Sequence, residues 1–396
     1  MKKRVIFIVV TALLCCLLVA CGSKTRLQAP QNIRQNGPFL IWDEVKNAEG
    51  YIVLADNEEY VTAEPSCNLS FLGGETVYVV KIKAVGDGEN FADSDWSEFG
   101  FNEIFKYTLL ADGSGYEVNL SVSSVELQDR KVVVPSTYEN LPVTRIADKM
   151  FYKCASLTEV VLPNTLKEIG ANAFYNCDAL ESIELPESVT AIGSSAFSGC
   201  LSLKKIVVPD GIERIEGNMF GDCTSLTEVV LPSTLKEIRG MAFLGCIVLE
   251  NIELPESVTA IGSIAFGGCS SLKKIVVPTG VERIEGSTFV GCSNLTEVVL
   301  PSTLKEIMGM AFRNCEALKT VVLPSSLKDI GKGAFSNCPL ESVFFGGTEA
   351  EYLSVSVAEG NDSILSAAVY FYSETEPTEN PQKFWRYSGG KPLPWA

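Results

Sequence analysis

The stretch Cys177-Asp178-Ala179-Leu180-Glu181-Ser182-Ile183-Glu184-Leu185-Pro186-Glu187-Ser188-Val189-Thr190-Ala191-Ile192-Gly193-Ser194-Ser195-Ala196-Phe197-Ser198-Gly199 stops one residue short of Cys200, where the same pattern starts again. Cys154, Cys177, Cys200, Cys223, Cys246, Cys269, Cys292, Cys315 and Cys338 are each 23 residues from the next. Phenylalanine recurs in phase from Phe151 to Phe335, and proline from Pro163 to Pro324. A fixed period of this length predicts a solenoid, because one unit cannot bury its own apolar face and must stack on its neighbours. Within the unit, Leu180, Ile183 and Leu185 end at a proline, which predicts a short strand that stops where the N–H is missing. Val189 and Ile192 predict a second short extended segment, and the Ala-Phe pair predicts a brief helical turn that plugs the interior. Parallel strands stacked roughly 4.8 Å apart make nine coils a rod on the order of 45 Å long.

A second period of 69 lies over the first. The hexapeptide Leu-Thr-Glu-Val-Val-Leu occupies residues 157–162, 226–231 and 295–300, with two other coil types between its copies. Outward positions then alternate in sign: Glu181 beside Lys204, Lys205 beside Glu228, Glu250 beside Lys273, Lys274 beside Glu297. An exposed ion ladder is expected, worth about 0.2 to 1 kcal/mol per pair. The candidate ligand face is the adjacent outward row Val161, Glu184, Val207, Val230, Glu253, Val276 and Val299, in which valines form an exposed apolar strip.

These residues resemble the BspA-like leucine-rich repeats of bacterial surface proteins, with their I-x-L-P-x-x-V-x-x-I-x-x-x-A-F-x-x-C signature, over about residues 130–345. The resemblance implies adhesion to host matrix components or bacterial co-aggregation. Tyr116-Glu117-Val118, Val132-Val133-Val134-Pro135 and Val143-Thr144-Arg145-Ile146 look like a divergent first coil, with 28 rather than 23 residues from Pro135 to Pro163. Residues 346–396 lose the period and are similar to a closing module of that family, which commonly has His where this chain has Arg386.

The N-terminus has the shape of a signal peptide: Lys2, Lys3 and Arg4, an apolar run from Val5 to Val19, and then Leu18-Val19-Ala20-Cys21. The run is shorter than the roughly 20 residues of a spanning helix. The closing tetrapeptide resembles the bacterial lipobox, which implies cleavage before Cys21 and lipidation of its thiol, tethering the chain outside the cytoplasm. Losing three cations and no acids would take the net charge from −17 to −20.

Residues 27–104 alternate apolar and polar runs between Gly, Asn and Asp turns, which predicts an antiparallel sandwich. The order of pieces resembles a fibronectin type III domain, with Trp42 as its core tryptophan and Leu72 and Tyr78 as its tyrosine corner. Fourteen acids against four bases give this segment a net charge of −10. The expected organisation is therefore a signal peptide (1–20), a lipidated cysteine and linker (21–26), a fibronectin type III-like domain (27–104), a cap and first coil (105–153), repeats (154–345) and a closing module (346–396).

The chain contains no histidine, which removes Ser/His/Asp and Cys/His nucleophile systems and imidazole metal sites. Net charge −17 and a pI near 4.6 disfavour nucleic acid. No cofactor, metal or catalytic residue is expected. The in-phase cysteines read as a reduced, packed core ladder, being odd in number and identical in position. Asn361 is the last of four chance sequons if the source is bacterial. Three function classes stay open: a binding or adhesion module contacting extracellular proteins, host matrix or glycans; a cell-surface spacer; and a carbohydrate-active protein using Trp385, Tyr387 and Trp395. Self-association of the repeats, edge to edge, is also open.

Overall fold

The computed structural model describes residues 24–36, 39–55, 58–68, 79–100, 105–121 and 131–395. The signal segment, Cys21, Leu72 and Tyr78 lie outside the described residues. Near the N-terminus, strands Arg34–Asn36, Phe39–Ile41 and Ser66–Asn68 form one antiparallel sheet. Strands Glu58–Thr62, Gly50–Ala55, Val79–Val85 and Ser97–Gly100 form a second, in that order. Leu40, Trp42 and Cys67 on one side and Tyr51, Val53, Val80, Ile82 and Phe99 on the other share a single core, so the two sheets face each other. Trp42 meets Tyr51 edge to face at 5.2 Å, and the Tyr51 hydroxyl accepts the Val45 N–H at 2.8 Å.

From Phe105 to Phe371 one continuous core threads a stack of coils. Each coil contributes to three inter-coil ladders. The first holds the strands that end at the prolines, Lys131–Val133, Glu159–Val161, Lys205–Val207, Glu228–Val230, Lys274–Val276, Glu297–Val299 and Thr320–Leu323, and then Ser342–Phe345, which ends at Gly346. All its pairings are parallel. The sequence predicted a strand in every coil, and two coils depart from this: Ile183-Glu184-Leu185 and Ile252-Glu253-Leu254 form none, and only a single bridge joins Ser182 to Lys205. Where the other coils place Val between two apolar residues, these place Glu, which fits a pleated half-buried surface less well. Leu185 and Leu254 are half-buried, as are the equivalent Leu231 and Leu300 of coils that do form the strand.

The second ladder runs through two-residue strands and is broken twice. Tyr116–Leu120, Leu141–Ile146, Glu168–Ile169 and Ala191–Ile192 are continuous; Arg214–Ile215, Glu237–Ile238 and Ala260–Ile261 follow; then Arg283–Ile284, Glu306–Ile307, Asp329–Ile330 and Ser356–Val357. One side-chain position accounts for the breaks. Thr165, Ser188, Thr234, Ser257, Thr303 and Ser326 each donate a hydroxyl hydrogen bond to a carbonyl 22 residues earlier, stitching their coil to the preceding one. In the two coils that begin a new run the same position is Gly211 and Gly280, with no hydroxyl to give. At the second break an open groove of about 580 Å³ lies between the coils, flanked by Ala260, Gly280, Glu282 and Arg283.

The third ladder passes through the segments before each cysteine. A helical turn was expected there. The segment instead makes tight turns through two left-handed residues per coil, such as Asn172 and Asn176 (both φ 55°) and Ile264 (φ 61°) with Gly268 (φ 70°). This conformation turns the backbone N–H and C=O groups toward adjacent coils: the Phe174 N–H donates to the Ala196 carbonyl at 2.7 Å and the Phe312 N–H to that of Ala334 at 2.7 Å. A helix would have satisfied these groups within the coil and left the stack unstitched. The phenylalanine rings lie inside, stacked at 5.1 to 5.8 Å from Phe151 to Phe335.

Both ends of the stack are covered. At the start, the hairpin Phe105–Leu109 and Tyr116–Leu120 leads into the second ladder. Lys131 bridges Glu98 of the N-terminal unit (2.8 Å) and Glu159 of the next coil (3.1 Å). At the far end, strands Ala368–Tyr372, Phe384–Ser388 and Lys391–Pro394 extend the first ladder's last sheet. The outermost strand carries Pro392 and Pro394, which have no N–H to offer a further strand.

Candidate binding face

Three rows of side chains point outward from the first ladder. In two of them the expected ion ladder is present: Glu181–Lys204 at 2.8 Å, Lys205–Glu228 at 2.7 Å, Glu250–Lys273 at 2.6 Å and Lys274–Glu297 at 2.7 Å. All eight side chains are about half exposed or more, so each pair adds little to stability. The third row contains every predicted face residue. Val161, Val207, Val230, Val276 and Val299 are 41 to 45% exposed. Strand register pairs Val207 with Val230 and Val276 with Val299, while the bridge at Ser182 sets Glu184 beside Val207. Glu184 and Glu253 are exposed in the same row, each at one of the coils that lacks a strand.

The row is longer than the sequence reading made it. Val133 is paired with Val161, and at the other end Val322 is paired with Phe344 and Phe344 with Tyr370. The Val132-Val133-Val134-Pro135 motif was legible, but the longer spacing to Pro163 hid its register. Phe344 is buried under Tyr370, stacked at 5.2 Å, and Trp385, edge-on at 5.6 Å. Trp385 is buried and donates its Nε1–H to the Phe345 carbonyl at 2.8 Å; Trp395 is buried and donates to that of Ser373 at 3.3 Å. Neither ring presents a free face for sugar, and of the tail aromatics proposed for that role only Tyr387 is exposed.

The cysteine ladder offers no chemistry to the surface. All ten described cysteines are free and buried. Each repeat thiol from Cys177 to Cys338 donates to the carbonyl of the phenylalanine 26 residues earlier, as Cys177 does to Phe151 at 3.1 Å. Burial pushes the Cys200 and Cys269 thiols up to about 12 and Cys177, Cys223, Cys246 and Cys292 well above the ordinary thiol value. They stay protonated at neutral pH and are poor nucleophiles. Among the described residues no cluster of His, Cys, Asp and Glu could hold a metal ion, and no helix is long and apolar enough to cross a membrane.

The family model for the BspA type leucine rich repeat region, in six copies, matches residues 144–263 and 236–354. The chain belongs to this family. Among solved structures it is similar to the leucine rich repeat protein of T. pallidum, TpLRR (29% identity, 59% of this chain and 86% of that one, TM-score 0.32). It is also similar to a leucine rich cell surface protein from Faecalibacterium prausnitzii (22%, 65% and 97%, 0.38) and to the pneumococcal vaccine antigen PcpA (20%, 71% and 91%, 0.40). No curated protein matches. The BspA-type family is one of repeat proteins, and no catalytic family is indicated.

Proposed function

We propose that this BspA-type chain is a lipid-anchored, extracytoplasmic binding protein of a bacterial surface. Cys21 carries the lipid, a fibronectin type III-like unit of about residues 27–104 spaces the rod from the membrane, and the rod holds a protein or glycan ligand on its first-ladder face. The single observation that carries the binding role is the row of five exposed valines, paired in register as Val207 with Val230 and Val276 with Val299, while the charged rows beside it neutralise themselves. An apolar strip left open on a soluble rod marks a contact surface. Two sheets of three and four antiparallel strands sharing one core support the spacer unit.

The test is binding of the full-length chain, in mild detergent, to an array of matrix proteins, mucins and glycans, beside Val207→Lys with Val276→Lys. Both substitutions are at exposed positions and should leave the fold intact. Saturable binding abolished by the pair is expected. Absence of saturable binding to the whole array would favour the plain spacer.

A further inference from the structure

We propose that the ligand of this face is an extended polypeptide segment with basic residues four apart, lying along the rod with its cations on Glu184 and Glu253 and an apolar residue over the valines between. The inference rests on the binding role assigned above to the first ladder. Its first support is a charge imbalance. Every Lys and Arg on the face is committed: Lys131, Lys204, Lys205, Lys273, Lys274 and Lys319 each ion-pair with a glutamate. The valine row and the row just past the prolines contain no cation, yet they expose Glu184, Glu187, Asp210, Glu253 and Glu256, none of which makes an ion pair. Among the described residues this strip is apolar and uncompensated in one sign. The Glu256 carboxylate accepts the Thr279 N–H and hydroxyl at 3.3 and 3.1 Å, but at Glu184 and Glu253 an approaching cation meets attraction without first displacing a charged partner, and an anionic glycan meets repulsion.

Spacing gives the second support. Glu184 and Glu253 are three coils apart with Val207 and Val230 between them, about 14 Å at 4.7 to 4.9 Å per parallel strand. An extended chain advances roughly 3.4 Å per residue and shows alternate side chains on one face. Residues i and i+4 are then about 13.6 Å apart, with i+2 centred over the two valines. A second valine pair, Val276 and Val299, continues the track. Valines present no flat face on which a sugar ring could stack, which favours polypeptide over glycan.

The probe is a fluorescein-labelled seven-residue peptide with lysine at positions 1 and 5, valine at 3 and 7, and threonine elsewhere, titrated with the full-length chain and read by anisotropy. Saturable binding is expected, weakened about fivefold to tenfold in Glu184→Gln with Glu253→Gln and unchanged in Glu213→Gln with Glu316→Gln, which removes the same charge elsewhere on the rod. A peptide of the same composition with its lysines two apart should bind more weakly. The proposal is overturned by no saturable binding, by equal loss in both variant pairs, or by chitosan oligosaccharide binding as tightly with the same dependence on Glu184 and Glu253. If the probe fails while an array ligand is still lost in Val207→Lys with Val276→Lys, the basic segment is wrong and the face remains. If neither depends on the face, both readings fall.

Discussion

At the residue scale, the repeated cysteine is a packing residue whose thiol caps a carbonyl. Its acidity gives the whole chain a pH dependence. A thiol whose value rises from about 8.5 to about 12 on burial binds its proton more tightly folded than unfolded, so stability is complete below the unfolded value and is lost as pH climbs toward the folded one. Each such thiol contributes a slope of about 1.4 kcal/mol per pH unit within that window. Urea midpoints should be level from pH 6 to 8 and fall steeply between pH 9 and 11. Cys223→Ala should flatten that alkaline fall; an unchanged slope would contradict the assignment. Phe243, in the middle of the ring stack, has no room to be truncated: Phe243→Ala should cost about 3 to 5 kcal/mol. Ile264 shows what sequence cannot reveal at this scale, because a branched residue at φ 61° is the last choice for a left-handed turn. Only the stacked backbone around it sets that conformation.

At the scale of elements, the sequence showed where strands stop, since proline marks it, but not which ladders would be continuous. Continuity depends on contacts between residues 22 or 23 apart that lie in different coils. The Ser/Thr stitch is the clearest case. Ser257 donates to the carbonyls of both Ser233 and Leu235 at 2.7 Å; Ser257→Ala should cost about 1 kcal/mol and loosen the ladder locally. Where glycine replaces the hydroxyl, the strand amides have lost their neighbour. Hydrogen exchange should therefore be faster at the Glu213 and Glu282 amides than at Lys236 and Lys305, which donate to the carbonyls of Glu213 and Glu282 at 2.8 Å. Equal protection at all four would mean that the ladder is closed in solution.

For the whole molecule, a stack of near-identical coils is stable only if its ends are finished. Asn361, a nominal sequon in the sequence, is fully buried and finishes the third ladder. Its Oδ1 accepts the Phe335 N–H at 3.0 Å, where a carbonyl of the next coil would sit, and its Nδ2 donates to Gly331 and Ala358 at 2.9 and 2.7 Å. Asn361→Ala should cost about 1 to 3 kcal/mol and lower the first unfolding transition at the C-terminal end. Removing residues 381–396 should expose the Ala368–Tyr372 edge and raise aggregation, which light scattering would detect.

The sequence by itself determined the coil, its period, the cysteine and phenylalanine core, the strand ends and the charge pairing, because all of these repeat and a periodic pattern states its own geometry. Only the tertiary structure decided the left-handed turns in place of helices, the missing strands at Glu184 and Glu253, the breaks at Gly211 and Gly280, and the burial of Asn361, Trp385 and Trp395. Each depends on which side chain of the next coil meets a given backbone group, and that meeting occurs only after the coils have stacked.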